Sequence, residues 1–129
     1  MQFEKLDVWK RSARLASNVY KLMATCKDYG FKDQITRSAL SIPSNIAEGL
    51  ERDSQADQPR FLYYGKGSAG KLVTQIYIGI EIGLIERELG LKLITESKEV
   101  ASMLAARIKI RKSSIKEPEP NYNLDEPRT

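Results

Sequence analysis

Histidine is absent from the 129 residues, and cysteine and tryptophan each occur once. Without histidine there is no imidazole general base, no Ser-His-Asp triad and no His-ligated zinc or di-iron centre. One cysteine, Cys26, excludes an internal disulfide framework and any multi-cysteine metal cluster. Long apolar runs are missing as well. The longest, Ile76 to Ile85, is interrupted by Glu81 and is too short to span a bilayer. The chain opens Met1-Gln2-Phe3-Glu4-Lys5 with no apolar leader. Together with the lone thiol, this sets the expected location as the cytoplasm, with no membrane partner.

What is present suits one packed domain. The length matches a single core, 41% of residues are apolar, and 29% are charged. The formal charge of +4 is an average of two unlike parts. Residues 1–116 carry 20 Lys and Arg against 13 Asp and Glu. Residues 117–129 carry Glu117, Glu119, Asp125 and Glu126 against Arg128. A basic body of this kind is compatible with phosphate binding and with plain solubility. The last segment holds Pro118, Pro120 and Pro127 and few apolar residues, which predicts a flexible acidic tail over 117–129.

Four segments have helical periodicity. In the first, about Asp7 to Lys27, the apolar positions are Trp9, Ala13, Ala16, Val19, Tyr20, Met23 and Cys26. Asp7 is the expected N-cap, and Lys27-Asp28-Tyr29-Gly30 the expected stop. The second starts near Phe31–Asp33 and runs to Leu50, with Ile35, Ala39, Ile42 and Ile46 in phase through Pro43. That continuity predicts one kinked helix rather than two. The third is expected from Ser54 to Leu84, with Ser54 as cap. It carries Gly65, Gly67, Gly70, Gly79 and Gly83, each costing roughly 1 kcal/mol against alanine in a helix interior. Gly79 and Gly83 share a face and read as positions where another backbone approaches. The fourth runs from about Leu91 to Ser113 and ends in a cluster of cations, which the helix dipole favours there. The fold class expected is all-α: an up-down antiparallel four-helix bundle over residues 1–116.

No constellation for chemistry emerges. Ser41 and Ser44 flank Pro43 but have no adjacent base and no Ser-x-x-Lys spacing. Gly65-Lys66-Gly67-Ser68-Ala69-Gly70-Lys71 lacks the order of a phosphate loop, and no strand precedes it. Arg37 and Glu48 lie about three turns apart and suit either a polar subunit contact or ordinary structural pairing. Asn45 is placed to bond backbone groups that Pro43 frees. The expectation is a protein that is not an enzyme and carries no cofactor and no metal.

The run Gln34-Ile35-Thr36-Arg37-Ser38-Ala39-Leu40-Ser41-Ile42-Pro43-Ser44-Asn45-Ile46-Ala47-Glu48-Gly49 resembles the motif of a bacterial family. These are the four-helix-bundle proteins encoded in intervening sequences of 23S ribosomal RNA, also called S23-like. Phe3-Glu4-Lys5-Leu6-Asp7-Val8-Trp9, Tyr29-Gly30-Phe31 and Gly67-Ser68 agree with it, and the resemblance covers about residues 3–90. Lys71 and Val73 depart from the acidic residues usual at those positions. The resemblance implies a left-handed antiparallel bundle, a ring-shaped homopentamer and no established enzymatic activity. A fold-level relative, the accessory protein of diversity-generating retroelements, is a basic pentamer that binds nucleic acid and a reverse transcriptase.

The candidate residues fall into three groups. Arg37, Ser41, Pro43, Asn45, Glu48, Gly49, Gly67 and Ser68 form the family motif. Gly79 and Gly83 are candidates for helix packing or oligomer contact. Lys10, Arg11 and Arg14 on helix 1 are expected to merge with Arg107, Lys109, Arg111 and Lys112 at the end of helix 4. The merged clusters would form a basic rim for RNA or a nucleic-acid-processing protein, with the acidic tail beside it as a competitor for phosphate. The other reading is an oligomer that binds protein partners and no nucleic acid.

Overall fold

The computed structural model describes residues 1–115, so the acidic tail lies outside the described residues. After a short 3-10 turn at Phe3–Lys5 come α1 (Asp7–Leu22), α2 (Tyr29–Leu50), α3 (Gln58–Glu81) and α4 (Arg87–Ile115). There is no strand among the described residues. Each helix packs on its neighbours in sequence, and α1 closes the bundle against α4 over the smallest seam. Among the described residues, the backbones of diagonal helices do not approach one another, which is the arrangement of an up-down bundle.

The core follows from the periodicity. Leu15 and Val19 from α1, with Met23 just beyond it, join Ile35, Ile42 and Ile46 from α2, Leu62, Leu72 and Ile76 from α3, and Val100 and Leu104 from α4 in one core. Burying each such side chain contributes roughly 1.5–3 kcal/mol. The α1 stripe is turned relative to the sequence expectation. Val8, Ser12 and Leu15 are inside, whereas Tyr20 is 46% exposed and Trp9 only half-buried. Ser12 escaped notice because it is polar. It is buried because its hydroxyl donates to the carbonyl of Trp9 at 2.9 Å, so no polar atom is left without a partner. On α4, Val100 is fully buried and Ala101 only partly so.

Several helix ends differ from expectation. α1 stops at Leu22, five residues early, and Leu6 rather than Asp7 occupies its N-cap position. Asp28 starts α2 rather than ending α1, its carboxylate accepting from the Phe31 N–H at 3.1 Å. Gly30 therefore lies inside the first turn of α2. α2 runs unbroken through Pro43, as one helix. α3 starts at Gln58, with Asp57 rather than Ser54 at the N-cap position, and it too is unbroken across Gly65–Gly70. The Glu86 carboxylate accepts from the N–H groups of Glu88 and Leu89 at 3.1 and 3.2 Å, so α4 begins four residues sooner than expected.

Gly83 is not a packing glycine. Its φ of +79° ends α3, with the Leu84 N–H on the Gly79 carbonyl at 2.8 Å and the Gly83 N–H on the Ile80 carbonyl at 3.2 Å. This left-handed end is one that glycine adopts without a steric cost. Gly79, by contrast, is a packing glycine within the chain. A Cβ there would fall 2.5 Å from Cδ1 of Ile85 and 2.9 Å from the Phe31 ring.

The seam between α2 and α3 pairs close backbone approach with a small polar cluster. A Cβ on Gly49 would meet Cβ of Phe61 at 3.0 Å and the Gln58 carbonyl at 3.3 Å. At Gly65 a Cβ would meet Leu104, the Ile42 carbonyl and Asn45 at 3.5–3.7 Å. One turn on, the hydroxyls of Ser41 and Ser68 bond at 2.6 Å. Asn45 donates to the Ser41 carbonyl at 2.9 Å and to its hydroxyl at 3.3 Å. Pro43 deprives the carbonyl of Ala39 of its usual donor. Asn45 serves Ser41 instead, which corrects the role expected for it.

Two tests follow. Gly67 and Gly70 face open space, with nothing within 4 Å of a Cβ. In dilute protein, Gly67→Ala and Gly70→Ala should each raise stability by about 1 kcal/mol in urea denaturation. Gly79→Ala should lower it by about 1–3 kcal/mol through overpacking. A double-mutant cycle of Ser41→Ala and Ser68→Ala should give a coupling of about 1 kcal/mol. Additive losses would show that the hydroxyl pair does not hold the seam.

Candidate functional site

The basic residues of α1 lie along an open groove against the first half of α4. Lys10, Arg11, Arg14 and Lys21 share its lining with Lys92 and Glu96, over a floor that includes Leu15, Leu22, Leu89 and Leu93. Its volume is about 1000 Å³. The groove opens here because α1 and α4 form the loosest seam of the bundle. Arg11 is not free for phosphate. One guanidinium nitrogen donates to both Glu96 oxygens at 3.0 and 3.1 Å and to the Glu99 carboxylate, and the other lies 3.7 Å from Sδ of Met103. The Glu99 bond, and then that to Glu96, hold the Arg11 pKa above its ordinary value. Lys10, Arg14, Lys21 and Lys92 make no ion pair among the described residues.

The second basic cluster stands apart. Because Arg11 fixes Glu96 and Glu99 beside α1, residues 107–112 lie about 12–20 Å further along the α4 axis at 1.5 Å per residue. The single rim expected from the sequence is therefore two surfaces. In the second, the Lys112 ammonium stands 5.1 Å from the centre of the Tyr63 ring of α3 and 3.3 Å from its hydroxyl. Lys109 is exposed and Arg111 partly so. Arg107 is partly buried, and this desolvation, with the neighbouring charge of Arg111, pushes its pKa down. Its Nε has no hydrogen-bond partner among the described residues. Tyr63 lies 49 residues from Lys112 in sequence. Its place under Lys112 depends on how α3 and α4 pack.

The family-motif residues divide by role. Ser41, Asn45, Gly49 and Ser68 meet at the α2–α3 seam. Arg37 and Glu48 do not meet. Arg37 pairs with Asp33 one turn back at 3.2 Å and is 77% exposed, while Glu48 pairs with Arg52 at 2.9 Å. Both are pairs at a spacing of four residues and need no second subunit. Pro43 is buried beside a groove of about 610 Å³ between α1 and α2, lined also by Phe3, Trp9, Tyr20 and Leu40. Gly67 is exposed and contacts nothing. Phe61 lies between Arg52 and Arg60, whose guanidinium carbons are 4.5 and 4.8 Å from the ring centre.

Among the described residues, no three His, Cys, Asp or Glu side chains cluster so as to hold a metal. No described helix is long and apolar enough to cross a membrane.

Comparison with known proteins agrees with this architecture. No curated protein matches the chain. A solved structure from Bacteroides thetaiotaomicron, described as a protein of unknown function from the S23 ribosomal protein family, superposes with a TM-score of 0.74. It is 28% identical, and the match covers 79% of this chain and 98% of that one. The family model described as 23S rRNA-intervening sequence protein matches residues 4–106. That span takes in all of α1, α2 and α3 and two-thirds of α4, and on it the chain belongs to the 23S rRNA-intervening sequence protein family.

Proposed function

We propose that the protein is a non-enzymatic, self-associating interaction module that holds structured RNA by its phosphates at the end of α4. The observation that carries this reading is the cation cluster Lys109, Arg111 and Lys112, placed beside Tyr63 and free of acidic partners among the described residues. A cation over an aromatic ring offers both a phosphate contact and a stacking surface. Contacts of this kind follow the backbone and carry no sequence code. The family description refers to a 23S rRNA intervening sequence, which makes RNA the first polyanion to test.

Self-association, as a pentamer by family resemblance, is supported by the outer face of α3. Tyr63, Tyr77 and Ile78 are about half exposed, and Gly67 and Gly70 leave room for another backbone. The same face, with the aromatic groove at Pro43, supports the second reading, an oligomer that binds protein partners and no nucleic acid. The free thiol of Cys26 suits the reducing cytoplasm.

A gel-shift series with a structured RNA tests the first reading. Binding should weaken steeply between 50 and 200 mM salt, as expected for roughly this range when several phosphates are contacted. Arg111→Glu with Lys112→Glu should lower the slope of log affinity against log salt by about 2. Absence of binding at low salt, both by the full chain and by a variant with Glu117, Glu119, Asp125 and Glu126 neutralised, would refute the reading and favour the second.

A further inference from the structure

The first two turns of α3 carry three aromatic rings, and all three stand among cations. Phe61 is partly buried, with the guanidinium carbons of Arg52 and Arg60 at 4.5 and 4.8 Å from its ring centre. Tyr64 packs on Phe61 at 5.5 Å in a T-shaped pair, yet it is 50% exposed. Tyr63 is 47% exposed, with the Lys112 ammonium 5.1 Å from its ring centre. Arg60 and Lys66 lie three residues to either side of Tyr63, a spacing that makes neighbours on a helix surface. Two acids pair with this cluster, Asp57 with Arg60 at 3.5 Å and Glu48 with Arg52 at 2.9 Å. Lys66 and Lys112 make no ion pair among the described residues.

Phosphate binding uses the cations of this cluster and has no need of its rings. Phe61 serves the fold, since its Cβ lies close over Gly49 and two guanidiniums flank its ring. Tyr63 and Tyr64 instead leave about half of their surface in water, where covering it is favourable. The contacts to Phe61 and Lys112 hold the two rings in place beforehand, which lowers the cost of ordering them on binding. As adjacent residues of a helix, the two tyrosines diverge by about 100° around its axis. Bases resting on both cannot belong to one continuous stack. A duplex keeps its bases paired and stacked inside and would meet only the cations. An unpaired strand can splay its bases onto aromatic rings and leave its phosphates to Lys and Arg.

We propose that Tyr63 and Tyr64 receive two bases of an unpaired RNA stretch, a loop or an end, while Arg60, Lys66 and Lys112 hold its phosphates. This rests on the reading that RNA is held at the end of α4, and it names the form of RNA that the site selects. Stacking accepts every base, so the selection is for unpaired strands and not for sequence. Tyr77 stands about 21 Å further along α3 and has no part in the platform.

Fluorescence anisotropy with the full chain tests it, using an oligouridylate of about 12 nucleotides and an RNA duplex of the same length. The strand should bind at least about tenfold more tightly than the duplex at equal salt. Tyr63→Leu with Tyr64→Leu removes two rings and no charge. It should weaken strand binding by at least about tenfold, keep duplex binding within about twofold and leave the salt slope unchanged. Tyr63→Phe with Tyr64→Phe keeps the rings and should keep the affinity for the strand. Equal affinity for strand and duplex, or a leucine variant that binds the strand as the unchanged chain does, overturns the platform and leaves phosphate binding standing. A leucine variant that loses strand and duplex alike overturns the platform too, as does a phenylalanine variant equally weak for the strand. Failure of the unchanged chain to bind either RNA overturns this proposal together with the reading beneath it.

Discussion

The close approach of α2 to α3 is the constraint on which the remaining arrangement rests. Gly49 and Gly65 remove the side chains that would hold the two backbones apart, and the Ser41–Ser68 hydroxyl pair fills the space between them. With α2 and α3 fixed, Leu104 of α4 comes within 3.5 Å of where a Gly65 side chain would begin, so three helices meet at one residue. At Gly49 even a Cβ would press on Phe61 and the Gln58 carbonyl, whereas at Gly65 a Cβ would sit in ordinary contact and a longer side chain would be needed to displace α3. The polar members of the seam are satisfied by one another, so their desolvation is compensated. This explains why the densest motif of the sequence, Arg37 to Gly49, holds packing residues in its second half and only an ordinary surface ion pair at its first residue.

The same geometry decides what the charges do. α1 is held on one side by α2 and on the other only by the loose seam with α4. Arg11 ties that seam by reaching two carboxylates on α4 and is thereby removed from the pool of free cations. The remaining α1 cations face a groove with a leucine floor, and those of α4 face an aromatic ring. Two surfaces of like charge therefore differ in what they can bind. One has an apolar floor between its cations, and the other sets a cation against an aromatic ring.

Much of the fold could be read from residue spacing. Ile35, Ala39, Ile42 and Ile46 keep one phase across Pro43, so the helix continues there, and Leu62, Ala69, Leu72 and Ile76 do the same across the glycines of α3. The helix ends were less legible, because a cap depends on where a side chain points. Asp28 caps from a position that reads as a stop signal, and Glu86 from a position before the expected start of the fourth helix. The glycines were legible as unusual but not as individuals. Gly79 packs on Ile85 and Gly83 turns the chain, although both read as packing positions in sequence, and Gly67 of the motif touches nothing.

Composition and periodicity by themselves determined an all-α bundle and the absence of histidine chemistry, and the run Gln34 to Gly49 carried the resemblance to the family, since each depends on residue type and short-range order. Only the tertiary structure decided that Arg11 is neutralised, that the two basic clusters are separate and that Tyr63 lies under Lys112. Those facts depend on the axial register between α1, α3 and α4. That register is set by how side chains far apart in sequence interlock, which no local pattern encodes.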